Sequence, residues 1–328
     1  MAVPSWTQDI DNMFTTTWAL RKTSAIEQAF LKTPFIYWLK KQGKIDNGMS
    51  GYRRIEIPLE YGSNETVRWI SKGSTVPLTE GELLTMAYED WKYISVTLLR
   101  YGTEDHQNRG RAAMINYVDR KIAAAERAIW EEFERVAFAD GTGANEPNGL
   151  QNLIDTTAGA TTNTTLHGIL RTAGNHTWFR NNIKTATGAF SVYGVSDMRN
   201  IMNTITKYSN SELSGLFLMT DQTTFEAYED ELLDYLRITD KGMTDLGFQN
   251  LEFKGRPIMW ASSCPTTRIY FINPQYLKLM VDDGYFMDMT EWKAIPDQVN
   301  DRTAQIVSAF NIVCSRPVAE GVLHTITY

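Results

Sequence analysis

Apolar and polar residues alternate with a period of two across the first third of the chain. Ile55, Ile57 and Leu59 are separated by Glu56 and Pro58, and a second alternation runs through residues 93–99, as in half-buried strands. Between them, the sequence Ser-Lys-Gly-Ser at 71–74 predicts a turn. A lone hairpin is marginally stable in water, and no helix is predicted within 52–101 to cover this one. We therefore expect its partner surface to come from elsewhere in the fold or from another subunit.

The strongest helical pattern follows, from about Glu104 to Ala139. Apolar side chains recur there at the three- and four-residue spacing of a helix with one buried face. They are Ile115, Val118, Ile122, Ile129, Phe133 and Val136, with Ala125 filling the gap. Thr103 is expected to cap the start of the helix, and the sequence Asp-Gly-Thr-Gly at 140–143 to end it. At 1.5 Å per residue the helix would be roughly 50 Å long, which favours the role of a strut.

The remaining segments predict an N-terminal arm and an α/β region. A helical pattern before residue 50 is interrupted at Pro34, and the glycine-rich segment 43–51 predicts a turn or linker. Residues 149–195 are rich in Thr, Gly and Asn and are predicted to form loops with short elements.

From Ser196 onward, helices and strands alternate. Ser196 is expected to cap a helix that reaches Lys207, and Thr220 or Asp221 to cap the next helix. Short strands are predicted at Leu216–Met219, Pro257–Trp260 and Arg268–Ile272. A long strand is predicted at 304–314, where both faces are largely apolar, which is typical of a central position in a sheet.

Composition and charge narrow the class of protein. The chain has 328 residues, 43% hydrophobic and 22% charged, so about two domains are expected and disorder is excluded as the main state. The net charge of −7 argues against general attraction to nucleic-acid phosphates. No apolar stretch approaches the roughly 20 residues that span a bilayer, and no secretory signal is visible, which predicts a soluble protein. Cys264 and Cys314 are therefore expected to be buried thiols and not a disulfide.

No arrangement of residues predicts catalysis, a metal site or a cofactor. The chain lacks a phosphate-binding loop, a dinucleotide-binding glycine motif and a nucleophile elbow. His167 and His176 lie in the Thr-rich segment, which favours a surface role over zinc binding. On the long helix, an ion pair between Glu131 and Arg135 is expected. The sequence thus predicts a protein that is not an enzyme.

The predicted shape favours self-assembly. An extended arm, an uncovered hairpin and a strut-like helix expose apolar and edge surface that a soluble monomer would hide. Non-equivalent surfaces that meet head to tail close into rings when the rotation permits. The residues alone therefore predict a structural protein that assembles with copies of itself.

Short stretches along the chain match those of a known family, in the same order. Before residue 200 they are Val67-Arg68-Trp69, Asn108-Arg109-Gly110, Gly149-Leu150 and Trp178-Phe179-Arg180-Asn181. In the C-terminal third they are Phe253-Lys254-Gly255, Pro257-Ile258, Tyr270-Phe271-Ile272-Asn273, Tyr276-Leu277-Lys278-Leu279, Met289-Thr290, Asp297-Gln298, Ala304-Gln305, Cys314-Ser315 and Gly321-Val322-Leu323. Together they resemble the major capsid proteins of tailed bacteriophages, which have the Hong Kong 97 phage fold. No single stretch is diagnostic, and their order across residues 50–328 carries the resemblance.

The resemblance implies an α+β architecture of Hong Kong 97 type. Its parts would be an N-terminal arm (1–50), an extended hairpin loop (51–90), a peripheral domain with its sheet (91–149 and 291–328) and an α/β axial domain (150–290). The helix at 104–139 would be the spine of the peripheral domain. The hairpin loop would lie over the adjacent subunit, with Arg68, Trp69, Lys72, Trp178 and Arg180 as candidates for contacts between subunits.

The resemblance also implies a function and partners. Pentamers and hexamers of the chain would tile an icosahedral virion capsid around double-stranded DNA, without sequence-specific binding, after assembly in the cytoplasm of the host bacterium. Some relatives carry a fused scaffolding segment for which this chain has no room, so a separate scaffolding protein or prior cleavage is expected. A portal and a decoration protein are further expected partners, and no membrane is expected. The cross-link that some relatives form through a loop lysine is not carried over to Lys72.

Two other hypotheses about the function stay open at this point. A cellular encapsulin-type compartment has the same fold but encloses an enzyme instead of DNA. A cytosolic α/β enzyme could assemble a site from dispersed residues, and it would form a small oligomer with one deep polar pocket.

Overall fold

The computed structural model describes most of the chain. The described residues are 17, 34–46, 53–62, 66–75, 82–102, 111–157, 165–174, 176–209, 213, 215–232, 251–298 and 301–328, with the side chains of all but 111–119 and 130. The predicted helix cap at Thr103 and the Asn47-Gly48 turn lie outside these residues, as does nearly all of the arm before Pro34.

The first of two main sheets is built around one long strand, β15 (Arg302–Cys314). One edge of β15 pairs antiparallel with β4 (Lys92–Arg100). Its other edge pairs in succession with three shorter strands, β12 (Leu277–Val281), β13 (Asp288–Met289) and β14 (Lys293–Ala294). A further short strand, β1 (Ile45–Asp46), pairs parallel with β12. Most of β15 is buried on both faces, so the prediction of a central strand is confirmed.

The second sheet has the spatial order β7-β16-β11-β8-β10-β9. Its members are β7 (Asn182–Thr185), β8 (Phe217–Thr220), β9 (Leu251–Phe253), β10 (Arg256–Trp260), β11 (Arg268–Ile272) and β16 (Gly321–His324). The strands predicted near 216–219, 257–260 and 268–272 are confirmed. Both faces are buried because alternate residues enter different cores: Phe217 and Tyr270 belong to the main core, and Leu218 and Phe271 to a second one.

The longest described helix, α2 (Arg111–Ala137), packs beside β4. Its 27 residues correspond to roughly 40 Å. Ile122, Ala125, Ile129, Phe133 and Val136 point into the main core, which confirms the predicted apolar stripe from residue 122 onward, while the side chains of Ile115 and Val118 lie outside the described residues. The helix ends just before the predicted stop, and Gly141 has a left-handed backbone (φ +65°).

The ion pair predicted from Glu131 to Arg135 is wrong. The Arg135 guanidinium instead binds both carboxylate oxygens of Glu132 at 2.9 and 2.6 Å, with Glu146 at 3.2 Å. Because Glu132 is only three residues from Arg135, the guanidinium can also reach Glu146 in the loop that follows the helix. One guanidinium therefore binds the end of the helix to that loop.

Shorter helices complete the two cores. The helix α1 (Pro34–Lys41) begins at the proline that interrupts the sequence pattern, and its Trp38 indole donates to the Gly215 carbonyl at 2.7 Å. The one-turn helix α3 (Leu150–Leu153) lies after α2. Two more, α4 (Val195–Tyr208) and α5 (Gln222–Leu232), contribute to the second core.

The two predicted helix caps have different outcomes. The prediction that Ser196 caps α4 is wrong: the π-helical turn Phe190–Gly194 runs directly into the helix, and the Ser196 hydroxyl donates to the Tyr193 carbonyl. Asp221 does cap α5, since its carboxylate accepts from the backbone N–H and the hydroxyl of Thr224.

Two hairpins lie outside the main sheets. In the larger, β2 (Ile55–Glu60) pairs antiparallel with β3 (Leu84–Glu89), which continues into β4. In the smaller, β5 (Thr165–Leu166) pairs with β6 (Ile169–Leu170). Sheet membership crosses the predicted domain boundary near residue 290, because β12 joins the first sheet and β16 the second. The domain boundaries themselves stay a prediction.

Candidate assembly surface

The outward face of the β2–β3 hairpin combines an apolar row with an acidic row. Leu84, Met86 and Tyr88 on β3 are exposed, Leu84 to 74%. Directly opposite on the same face of β2 stand Glu60, Pro58 and Glu56. The other face is buried at Ile55, Leu59 and Ala87. The hairpin is thus anchored on one side and presents large apolar side chains to solvent on the other.

The tip of the hairpin carries three of the five residues proposed from sequence. Residues 71–74 form the predicted turn, in which the Ser74 amide donates to the Ser71 carbonyl at 3.0 Å and Gly73 has φ +89°. Arg68, Trp69 and Lys72 are all exposed, and Trp69 is completely so. Val67 and Ile70 add further exposed apolar area. An aromatic ring without cover is typical of an interface residue.

Trp178 and Arg180, the other two sequence candidates, lie beside the end of β2 that leads into the hairpin tip. Trp178 stacks on Tyr61, with ring centroids 5.0 Å apart. The Arg180 guanidinium donates to the carbonyls of Arg171 and Ala173 at 2.6 and 3.2 Å. Both side chains are half-buried and bind within their own chain. The structure therefore places the five candidates at two positions, the tip of the hairpin and the Tyr61 end of β2.

A half-open groove of about 800 Å³ lies between the Tyr61 end of β2 and the body of the chain. Its walls come from the end of β2, the segment 177–182 and the connection from β15 to β16. They include Tyr61, Trp178, Arg180, Tyr208, Tyr276 and Arg316. The Arg316 guanidinium lies over the Tyr276 ring at 5.6 Å. The groove walls are therefore aromatic and basic.

The prediction that His167 has a surface role is wrong. The side chain is fully buried in the two-residue turn between β5 and β6. Its ring nitrogens lie 2.8 Å from a Glu89 carboxylate oxygen and 3.0 Å from the Cys314 amide nitrogen. The signal that could have found it is the pair His167-Gly168, because two residues with positive φ make a tight hairpin turn.

Charged groups close to His167 are also buried. Arg171 is completely buried, donates to the carbonyls of Asn152 and Leu153, and has its pKa lowered to about 10 by burial. Burial raises the pKa of Glu320 well above its usual range, although the Asn273 amide donates to it. Burial likewise raises the pKa of the Cys314 thiol. Both cysteines are buried and free, as predicted.

The exposed face of α2 carries two arginines. Arg120, Ala124, Arg127 and Ala128 lie on one side of the helix and are exposed, and Glu131 follows on the same side. Among the described residues, neither arginine has an ion-pair partner, and neither do Glu56 and Glu60 on the hairpin. The alanines leave room for another backbone to approach closely.

Two features are missing from the described part of the chain. No group of His, Cys, Asp or Glu residues there could hold a metal ion. None of its helices has the length and apolar character needed to cross a membrane.

Comparison with known proteins identifies the fold. No family model and no curated protein matches the sequence. A chain of the capsid asymmetric unit of cyanophage A-1(L) matches with a TM-score of 0.67 and 17% identity, over 91% of this chain and 94% of that one. The chain has a phage capsid fold. A chain from the capsid of a native GTA particle matches with a TM-score of 0.57 and 12% identity, over 88% of this chain and 91% of that one. A capsid chain of Myoviridae phage XM1 matches with a TM-score of 0.53 and 10% identity, over 87% of this chain and 90% of that one.

The phage capsid fold accounts for the mixed α+β architecture and agrees with the resemblance seen in the sequence. Because the coverage is about nine tenths in both directions, the likeness includes both sheets and α2, and not one shared motif. Among the described residues, the outward face of the hairpin and the outer face of α2 are both exposed in the single copy.

Proposed function

We propose that this chain is the shell subunit of a bacteriophage and assembles into pentamers and hexamers of an icosahedral capsid around double-stranded DNA. The observation that carries the proposal is the match to the cyanophage A-1(L) capsid chain over nine tenths of both chains. The uncovered hairpin and its exposed Trp69 support it, because a stable monomer would not keep so much apolar surface in water.

The elements take their roles from this fold. The helix α2 is the spine of a peripheral domain with the sheet around β15, and the second sheet belongs to the axial domain. The β2–β3 hairpin is the extended loop that lies on a neighbouring copy. Partners are copies of the chain and, during assembly, a scaffolding protein, a portal and a decoration protein. A chain of the satellite phage P4 procapsid, a structure that includes the size determination protein, also matches.

Charge complementarity supports a specific contact between copies. The hairpin face bears Glu56 and Glu60, four residues apart on a strand and so roughly 13 Å apart. The face of α2 bears Arg120 and Arg127, roughly 10 Å apart along a helix. The apolar row on β3 would then cover Ala124 and Ala128. We propose that the hairpin of one copy lies on α2 of the next.

The net charge of −7 supports enclosure of DNA without strong binding. A lining that repels phosphate would let the duplex move during packaging. Strong, salt-sensitive binding of duplex DNA by purified subunits would contradict this part of the proposal.

Electron microscopy of the expressed chain, alone and with the other structural proteins of its virion, tests the proposal. The expected result is closed shells with five-fold and six-fold rings of subunits, containing DNA when isolated from infected cells. Native shells that contain a protein cargo in place of DNA would indicate an encapsulin-type compartment. A small oligomer that never closes into a shell would contradict the proposal and favour the enzyme.

A further inference from the structure

One histidine joins three parts of the chain at the base of the hairpin. The backbone carbonyl of His167 accepts from the Tyr88 amide at 3.1 Å, and its Nδ1 lies 2.8 Å from Glu89. Its Nε2 accepts from the Cys314 amide at 3.0 Å. Tyr88 and Glu89 end β3, and Cys314 ends β15. A single turn residue thus links the end of β3 to the central strand of the first sheet, in addition to the pairing of β4 with β15 and the bond from the Asn311 side chain to the Asp90 carbonyl.

The backbone is shaped to place this side chain inside. His167 has φ +50° and Gly168 has φ +79°, the left-handed pair that a two-residue hairpin turn of type I′ needs. A Cβ on Gly168 would lie 2.8 Å from the Tyr88 ring, so the turn packs directly against β3. A non-glycine residue rarely adopts positive φ, yet here the unusual backbone turns the imidazole toward two hydrogen-bond partners.

The partners fix the protonation state of the ring. The Cys314 amide can only donate, so Nε2 must carry a lone pair and the single proton must lie on Nδ1. That proton is donated to the Glu89 carboxylate. A second proton on Nε2 would place a donor against a donor and remove the bond to Cys314, while the bond to Glu89 would survive.

We propose that His167 is a proton-operated pin: the neutral imidazole links the end of β3 to the end of β15, and protonation of Nε2 breaks this one link. The device belongs to the single chain, and its consequence for a shell rests on the proposed function.

The surrounding charges oppose one another. Glu89 on β3 faces Nδ1 and favours the imidazolium, and Lys92 on β4 lies close enough to Glu89 to weaken this effect. On the other side, Arg171 after β6 lies near the Cys314 thiol and disfavours a second positive charge. Phe179 contributes only an apolar ring, 6.4 Å from the imidazole. Glu89 keeps some solvent contact, with 18% of its side chain exposed.

Hydrogen–deuterium exchange on the full chain tests the pin, with rates corrected for the intrinsic effect of pH. When the pH is lowered from about 8 to about 5, protection of the Cys314 amide should fall about two- to tenfold, the effect of losing one hydrogen bond. Amides of β8 and β11 should keep their protection. In His167→Asn, whose residue type tolerates positive φ, the Cys314 amide should be less protected at every pH and should not respond to pH.

Two further variants keep the test decisive. His324→Asn, the matched control, removes a histidine of β16 that bonds only Thr185 and Thr325, so the Cys314 response should match that of the parent chain. In Glu89→Gln the response should move to lower pH, because the carboxylate that stabilises the imidazolium is gone. If His167→Asn fails to fold, the shift of the Cys314 response in Glu89→Gln tests the proposal on its own.

The pin is refuted if protection of the Cys314 amide in His167→Asn keeps the pH dependence of the parent chain. It is also refuted if Glu89→Gln leaves the midpoint of that pH dependence unchanged. Failure of the chain to form shells would overturn the proposed function and leave this result standing, because exchange is measured on the unassembled chain.

Discussion

The indole ring of Trp178 stacks on the phenol ring of Tyr61, with centroids 5.0 Å apart and ring planes 18° apart. Tyr61 directly follows β2, and Trp178 belongs to the short 3-10 turn 177–179. The contact therefore joins the end of β2 that leads into the hairpin tip to the body of the chain.

Trp178→Ala should loosen the hairpin. We expect the free energy of unfolding to fall by about 1–2 kcal/mol, from the lost stacking and the lost apolar burial. Urea unfolding followed by circular dichroism measures this loss. Trp260→Ala, at a 40% exposed position on β10, is the matched control and should cost clearly less. Equal losses would show that the stack has no special role.

Trp69→Ser should abolish assembly without affecting the subunit. The Trp69 ring is fully exposed in the single copy, so its removal should change the free energy of unfolding by less than about 0.5 kcal/mol. An interface tryptophan often contributes about 2 kcal/mol or more to association, and sedimentation velocity should show shells replaced by free subunits. Val192→Ser, a comparably exposed apolar position on the π-helical turn, should still form shells.

The contact between the hairpin and α2 predicts rescue by charge exchange. Glu56→Lys with Glu60→Lys should block shell formation, because lysines would then face Arg120 and Arg127 of the next copy. Arg120→Glu with Arg127→Glu should block it too, and all four changes together should restore it. Light scattering during assembly measures each case. Assembly that is indifferent to both charge reversals would remove α2 as the partner of the hairpin.

Glu320 predicts a loss of stability as the pH rises. Burial raises the pKa of this carboxyl in the folded chain, so above about pH 4.5 the unfolded chain releases its proton while the folded chain keeps it. Stability from this group is complete below that pH and is lost as the pH increases. Glu320→Gln cannot ionise, so its stability relative to the parent should increase by up to about 1.4 kcal/mol per pH unit until the folded carboxyl ionises.

Urea titrations between about pH 5 and about pH 8 measure this slope. Glu291→Gln, at an exposed position before β14, should show no such trend relative to the parent. A flat difference for Glu320→Gln would mean that the buried carboxyl is ionised in the folded chain.

The two thiols should be inert until the chain unfolds. Cys264 is 5% exposed and Cys314 is fully buried, and burial raises the pKa of both thiols, so little of the reactive thiolate is present. A disulfide reagent should label neither cysteine in the native chain at about pH 8 and both in urea. Rapid labelling of Cys314 in the native chain would contradict the packing at the end of β15.

The sequence predicts those elements whose surroundings are uniform along their length. Residues 304–314 are apolar on both faces because β15 has neighbours on all sides, and α2 repeats its apolar side chains because one face stays on the core. The hairpin tip was proposed from the family resemblance, and Val67, Trp69 and Ile70 there have nothing local to cover them.

What could not be predicted depends on contacts between distant residues. His167 lies in a Thr-rich segment without periodicity, and its burial follows from Glu89 and Cys314, which are 78 and 147 residues away. The parallel pairing of β16 with β7 and the place of β12 beside β15 are equally non-local. Ser196 was mistaken for a cap because a π-helical turn before α4 leaves no sequence signal.

The strand β15 ends at Cys314, and only residues 315–320 separate it from β16 in the second sheet. The two sheets are therefore tied by a short covalent link, and β15 is held lengthwise by nine paired residues of β4 and five of β12. A pull that parts the sheets acts along β15, and must shear these hydrogen bonds together instead of unzipping them singly. A container wall built from such subunits would resist tension from its contents best in the direction of this strand.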